Sequence, residues 1–278
     1  MDTLLEVLKK TTAFFEGKGI ESPRLDAELL FAHVLNCSRL DLYLEFDKPM
    51  SAKLLDELRP LVARRGKREP LQYLLGEVPF CGLTLKVDSR ALIPRPETEE
   101  LVELLVQQKV EPKRILDLGT GTGALALALA NQYSAAAVVA VERSSEARSL
   151  AHENAQQNNL LEQLTLLEGS WFESVTGTFD LIVSNPPYLT QEEWEAASPE
   201  VKHADPYEAL VSPEEGIADL LHILSEARSY LDEGACLALE TGIAHHERLK
   251  QEAEALGYSK TDSFEDLNKR DRFFLAWN

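Results

Sequence analysis

Nowhere does the sequence hold the roughly 20 consecutive apolar residues that a membrane-spanning helix needs, so no membrane partner is expected. Cysteine is scarce. Cys37, Cys81 and Cys236 are scattered, odd in number and without metal-ligand spacing. That argues against a disulfide framework and leaves no metal site to propose. Buried thiols in a reduced, cytoplasmic compartment are the expectation. The start, Met1-Asp2-Thr3-Leu4-Leu5-Glu6, is amphipathic and acidic, unlike the basic and then apolar start of a secretory signal. Positive charge is in deficit, with 28 Lys and Arg against 47 Asp and Glu, for a net charge of −19. Nucleic-acid binding gains most of its affinity by neutralising phosphates, so this field opposes it. One cluster runs against the trend: Arg59, Arg64, Arg65, Lys67 and Arg68. It reads as the solvated face of a helix end, with a contact patch for a polyanion as the alternative. The N-terminal stretch, residues 1 to about 75, has no repeats and no low-complexity segment.

What is present suits a main domain and a smaller one: 278 residues, 44% of them hydrophobic. Residues 1 to about 75 carry helix signals and no convincing strand. Leu4, Leu5, Leu8 and Phe15 mark one apolar stripe; Ser22-Pro23 and Ser51 read as helix starts. Four or five short helices are expected. Phe80 to Val87 alternates in places and suits a short hairpin or linker strand. The organisation is therefore a helical domain over 1–78, a hairpin linker over 79–92 and a main domain over 93–278. The main domain opens on Ile93-Pro94-Arg95-Pro96-Glu97-Thr98-Glu99, where Pro96 and the acids suit a helix start.

From Arg114 strands alternate with helices. Strands are expected at 115–118, 137–141, 164–167, 179–184 and 235–240, with a closing antiparallel pair at 258–264 and 272–277. A helix is expected over 217–231. The alternation defines an α/β fold: a mostly parallel seven-stranded sheet with helices on both faces, Rossmann-like, preceded by the small all-helical domain.

Two motifs sit at strand ends. Gly119-Thr120-Gly121-Thr122-Gly123 follows the first strand of the alternating region and lets backbone approach a ligand at a helix N-terminus. Glu142 ends the next strand, where an acid accepts ribose hydroxyls. The loop spacing is not that of dinucleotide binders, and it carries no basic partner for a pyrophosphate. A nucleoside with a non-phosphate tail fits better, and S-adenosylmethionine is the cofactor expected. Asn185-Pro186-Pro187-Tyr188 closes the fourth strand. Two prolines stiffen a loop that displays carbonyls, an amide and an aromatic ring together, the parts needed to grip a planar –NH2 group. The alternative is a proline-punctuated turn. Trp171, after the third strand, reads either as core or as a ring stacked at the site.

The ordered set Leu-Gly-Thr-Gly-Thr-Gly (118–123), Asn-Pro-Pro-Tyr (185–188), Ile-Pro-Arg-Pro-Glu-Thr-Glu (93–99) and Pro-Leu-Gln-Tyr-Leu-Leu-Gly (70–76) resembles the release-factor glutamine methyltransferases. The likeness covers nearly the whole chain. Asn-Pro-Pro-Tyr alone is shared with adenine amino-methyltransferases; the 93–99 segment is more diagnostic. The resemblance implies a class I methyltransferase domain and an N-terminal domain that docks class 1 peptide release factors. The implied substrate is the glutamine of their Gly-Gly-Gln tip. It also implies that Gly119, Thr120, Gly121, Thr122, Gly123, Glu142, Trp171 and Asn185 contact S-adenosylmethionine, while Asn185, Pro186, Pro187 and Tyr188 hold the glutamine. The Asn185 oxygen and the Pro186 carbonyl would accept the two amide hydrogens, with the Tyr188 ring over the amide plane. A monomer is expected. Two departures stand out: Glu142 occupies a place where the family often has Asp, and Asp266–Arg272 lacks the glycine expected in that turn. The rival readings are a nucleic-acid adenine methyltransferase, which uses the same loop on a flipped base, and a non-catalytic adenosylmethionine-binding adaptor. A flavin-dependent haem-pathway oxidase finds no flavin loop here.

Overall fold

A computed structural model describes residues 2–278, apart from the side chain of His203. The chain divides into two compact units, Met1–Gly76 with Ser198–Ala204, and Glu77–Ala197 with Asp205–Asn278.

The first unit is helical. Helix α1 (Leu4–Gly17) starts on a capping box between Thr3 and Glu6 and buries Leu4, Leu8, Thr11 and Phe15 along one stripe. Helix α2 (Pro23–Leu35) begins on proline, and Ser22 makes no side-chain cap bond. After α3 (Arg39–Leu42), α4 (Ala52–Arg65) is capped by Ser51, whose hydroxyl accepts from Leu54 N. Helix α5 (Leu71–Leu75) stops at Gly76 in the left-handed region. Phe15, Leu30, Phe31, Leu42, Leu58 and Leu74 pack as one core.

The basic cluster divides: Arg59, Arg64 and Lys67 are exposed, as the solvated-face reading expected, while Arg65 is buried and Arg68 half-buried. Arg65 is 7% exposed and donates to Asp26 (2.7 Å) and Glu200 (3.0 Å). Arg68 donates twice to Glu200, at 2.6 and 2.7 Å. Arg64 pairs with Glu69 and Arg59 with Asp56. Each arginine is thus paired with a carboxylate of the same chain, which argues against a free polyanion patch, and Arg65 and Arg68 depart from the solvated face. Burial pushes the Glu200 carboxyl up, but hydrogen bonds from Arg68, the backbone and Arg65 outweigh it and bring it down to about 2.

The second unit opens with the hairpin β1 (Glu77–Phe80) and β2 (Leu83–Lys86), then α6 (Pro96–Gln107). Its main sheet has the order β5-β4-β3-β6-β7-β9-β8, from β3 (Arg114–Leu118), β4 (Ala137–Glu142), β5 (Leu164–Glu168), β6 (Phe179–Ser184), β7 (Leu231–Glu240), β8 (Lys260–Glu265) and β9 (Asp271–Trp277). The first five strands run parallel; β9 pairs antiparallel with both β7 and β8. In the central strands, Ile115, Leu116, Val138, Ile182, Val183 and Leu237 are all buried, as expected for strands covered on both faces. Helix α7 (Ala124–Gln132) buries every residue from Ala124 to Ala130, while α8 (Ser145–Gln157) is amphipathic, with Ala147, Leu150, Ala151, Asn154 and Ala155 inward.

Three local outcomes differ from the sequence expectation. The helix expected over 217–231 is Ala218–Ala227 with a 3₁₀ turn at Arg228–Tyr230, and β7 already begins at Leu231. Short helices α9 (Gln191–Ala196) and α10 (Pro199–Ala204) occupy a stretch given no element from sequence. In the β8–β9 turn, Lys269 itself takes the left-handed conformation (φ 58°) where a glycine was expected. The Asp266 carboxylate holds that turn by accepting from Asn268 N, Arg270 N and Arg270 Nε. No helix among the described residues is long and apolar enough to cross a membrane.

Candidate active site

Strand order reverses between β3 and β6, the place where doubly wound sheets bind ligands at their carboxyl ends. Both motifs lie there. Gly119 N and Thr120 N donate to Val141 O on β4, at 2.9 and 3.0 Å. Ser184 Oγ, fully buried at the end of β6, donates to Leu118 O at 2.7 Å. That bond seats the following Asn185 beside the glycine loop. Gly121 sits at φ 56°, and a Cβ there would meet nothing closer than Ala91 Cβ at 3.9 Å. Space is open above it, so its backbone conformation rather than crowding calls for glycine.

The Glu142 carboxylate is 9% exposed and bridges two backbone amides, accepting from Gly121 N (2.9 Å) and Ser144 N (2.8 Å). Trp171 lies against the same loop, its ring 3.4 Å from where a Gly119 Cβ would stand. It also packs on the core and holds a left-handed φ of 49°. That conformation is costly for a bulky residue and clusters at functional sites. Both sequence readings of Trp171 therefore apply: it is part core and part site wall.

Several residues here escaped the sequence reading. Asp117, 1% exposed, accepts from Thr120 Oγ1 and from Ala126 N (3.1 Å), tying the glycine loop to the first turn of α7. Burial pushes its carboxyl up to about 7, against the pull of those two hydrogen bonds. Asn154, fully buried on α8, donates to Thr122 O (2.9 Å) and exchanges bonds with the Lys86 backbone.

Around Asn185 a second buried acid organises the loop. Glu240, at the end of β7 and 1% exposed, accepts from Thr98 Oγ1 (2.7 Å) and from the Tyr188 hydroxyl (3.0 Å). Thr98 Oγ1 in turn accepts from Asn185 Nδ2 at 3.2 Å. Burial raises the Glu240 carboxyl, while the Thr98 and Tyr188 hydrogen bonds and Arg272 pull it down. Burial and then the Glu240 charge push the Tyr188 phenol upward, so it stays a neutral donor at physiological pH. The Arg272 guanidinium lies 5.6 Å from the Tyr188 ring centroid, a cation–π contact. Arg95, in the stretch that leads into α6, pairs with the buried Asp205. The backbone of 188–189 is pinned by bonds to Leu210 O and by Ser212 N donating to Leu189 O. Glu214, Glu215 and Gly216 are consecutively left-handed, and a Cβ on Gly216 would stand 2.3 Å from Tyr188 O.

The structure thus brings Gly119–Gly123, Glu142, Trp171 and Asn185–Tyr188 to one end of the sheet. A hollow lined by Lys109, Pro112, Asp180, Asp232, Cys236 and Trp277 lies at the opposite end and contains none of them. Among the described residues no group of acids, His and Cys could hold a metal ion.

The residues fit S-adenosylmethionine in their chemistry. They offer a glycine loop without a cationic side chain, a carboxylate at the next strand end and an aromatic wall. Residues 96–205 match the methyltransferase small domain, and the fold and site together define a Rossmann-like methyltransferase. Structures of similar fold include the hMettl16 catalytic domain in complex with MAT2A 3'UTR hairpin 6, with a TM-score of 0.60, 20% identity, and coverage of 78% of this chain and 81% of that one. Another is the T. thermophilus 16S rRNA N2 G1207 methyltransferase in complex with AdoMet and guanosine, with a TM-score of 0.51, 19% identity, and coverage of 73% and 49%. Residues 6–76 match the PrmC N-terminal domain. The release factor glutamine methyltransferase of Geobacter sulfurreducens is 41% identical over 97% of this chain and 95% of its own length. That of Deinococcus radiodurans is 40% identical over 98% of both. The chain belongs to the release factor glutamine methyltransferase family.

Proposed function

We propose that the chain transfers a methyl group from S-adenosylmethionine to the side-chain amide nitrogen of the glutamine in the Gly-Gly-Gln motif of class 1 peptide release factors. The observation that carries this reading is the state of the Asn185 amide. Its NH2 is engaged by Thr98, at the end of the strand beside the glycine loop, which leaves the side-chain oxygen as the group to meet an incoming amide.

S-adenosylmethionine supplies an electrophilic methyl group when bound. Gly119, Thr120, Gly121, Thr122 and Gly123 would cradle it, Glu142 would accept from its ribose, and Trp171 would wall the site. A carboxamide nitrogen is a poor nucleophile because its lone pair is delocalised into the carbonyl. The Asn185 oxygen and the Pro186 carbonyl accept its two hydrogens. They hold the nitrogen toward the donor and favour the positive charge that develops. Pro187 keeps the loop extended, and the Tyr188 ring covers the amide plane. No general base is needed before transfer, since the proton can leave afterwards.

A Gly-Gly-Gln tip alone offers little surface, whereas specific protein interfaces bury about 800 Å² per partner. The helical unit supplies the additional contact, but Arg64, Arg65 and Arg68 do not, being held by Glu69, Asp26 and Glu200. The substrate is protein rather than nucleic acid, in keeping with the net charge of −19. The enzyme acts as a monomer in the cytoplasm.

Incubation with labelled S-adenosylmethionine and an intact class 1 release factor, followed by mass-spectrometric mapping, tests the reading. Label on the Gly-Gly-Gln glutamine supports it. Label on another residue, or efficient methylation of adenine in DNA or RNA offered instead, overturns it.

A further inference from the structure

We propose that Thr98 and Glu240 are positioning residues for methyl transfer: Glu240 accepts the one hydrogen bond the Thr98 hydroxyl can donate, which obliges Thr98 to accept from Asn185 and so fixes the Asn185 amide with its oxygen toward the substrate. The proposal rests on the amide-gripping role of Asn185 given above.

The argument is one of proton counting. An Asn side chain has two faces of nearly equal shape, one a double donor and one an acceptor. Flipped by 180°, Asn185 would point an NH2 group at the substrate amide, and donor would meet donor. Something must discriminate between the two orientations. Pro186 and Pro187, which follow Asn185, cannot do so, since proline has no N–H donor and its ring is apolar. Thr98 Oγ1 has a single proton, and it lies 2.7 Å from Glu240 Oε2. Committed there, Thr98 offers only lone pairs to its other neighbour, Asn185 Nδ2, at 3.2 Å.

Glu240 is placed to impose this order. It is 1% exposed and Thr98 is 4% exposed, so water does not compete for either bond. Its second oxygen accepts from the Tyr188 hydroxyl at 3.0 Å. One carboxylate therefore orients both polar side chains of the Asn-Pro-Pro-Tyr loop, through Thr98 on one side and directly on the other. The three partners come from α6, from the end of β6 and from the end of β7. This also accounts for a hydroxyl at position 98, buried in the first turn of α6, where a purely structural site would accept an aliphatic side chain.

Two measurements test the proposal. The first is the transfer rate on intact release factor for Thr98→Val and Thr98→Ser, each alone and combined with Asn185→Ala. Thr98→Val is expected to lower kcat by roughly 10- to 100-fold, the scale for losing an oriented polar contact. KM for release factor and affinity for S-adenosylmethionine should stay within about threefold of wild type, on the same principle that the group acts mainly on the transition state. Thr98→Ser should restore most of the rate. On the Asn185→Ala background Thr98→Val should cost nothing further, because its route of action is already gone. Full additivity of the two substitutions, or Thr98→Ser failing as badly as Thr98→Val, overturns the proposal. The second measurement needs no release factor: the ¹⁵N–¹H signals of the Asn185 side-chain amide, assigned by their loss in Asn185→Ala. They should be slow to exchange in the wild type, and shifted and fast to exchange in Thr98→Val and Glu240→Gln. Unchanged signals in both variants overturn the proposal whatever the substrate proves to be. Wild-type protein that fails to methylate release factor while these signals respond contradicts the substrate reading instead.

Discussion

Glu142 and Glu240 are both buried acids at the carboxyl ends of parallel strands, and their partners separate their roles. Among the described residues the Glu142 carboxylate accepts from backbone amides of the glycine loop and the start of α8, and it is the acid proposed above for the cofactor. Glu240 touches side chains of the Asn185–Tyr188 loop and of α6. Glu142→Ala should therefore weaken S-adenosylmethionine binding by about 1.5–3 kcal/mol, the range for hydrogen bonds to a charged group, as read by calorimetry. Unchanged affinity would move the ribose contact to another residue. Legibility at this scale follows chain distance. The glycine loop and Asn185-Pro186-Pro187-Tyr188 are contiguous, so their chemistry is visible in the letters. Glu240 lies 142 residues from Thr98 and 52 from Tyr188. An acid closing an apolar run reads as a solvated strand end until the fold brings its partners to it. The arginine cluster misled for the same reason: Arg65 is 39 residues from Asp26 and 135 from Glu200.

Among the elements, the alternating strands and helices were legible because buried parallel strands are short apolar runs bounded by glycine or charge. The stretch from 189 to 216 was not. Its helices are four to six residues long, too short for a period to show. The early start of β7 was hidden as well, because Asp232, Glu233 and Gly234 interrupt its apolar pattern. This poorly legible stretch supports the Asn185–Tyr188 loop. Gly216, at φ 83°, places its Cα hydrogens against Tyr188 O. Gly216→Ala must push the Tyr188 carbonyl away from a contact of 2.3 Å and strain a left-handed position. We expect a stability loss of more than about 1 kcal/mol and a transfer rate lowered well beyond it, measured by thermal unfolding alongside turnover. A variant with wild-type turnover would show that the loop tolerates displacement of Tyr188.

For the whole molecule, the helical unit includes Ser198–Ala204, a segment remote in sequence. Glu200 in that segment is bound by Arg65 and Arg68. Its carboxyl is held at about 2, against an ordinary value of 4.5. A depressed folded-state pKa means that the contribution is fully present above about 4.5 and is lost as pH falls through about 2. Glu200→Gln should therefore lower Tm at neutral pH, with the gap to wild type closing over that acid window. A gap independent of pH would mean that shape rather than charge matters there. A chain truncated at Gly76 would also strip Glu200 of both cations, so the intact protein is the proper vehicle for testing the docking role.

The amide grip of Asn185 is most directly tested by single-turnover methyl transfer to intact release factor, wild type against Asn185→Ala, with S-adenosylmethionine affinity measured in parallel. The expected result is a transfer rate reduced by roughly 10²-fold or more with cofactor affinity nearly intact. Near-normal turnover in Asn185→Ala would contradict the amide grip.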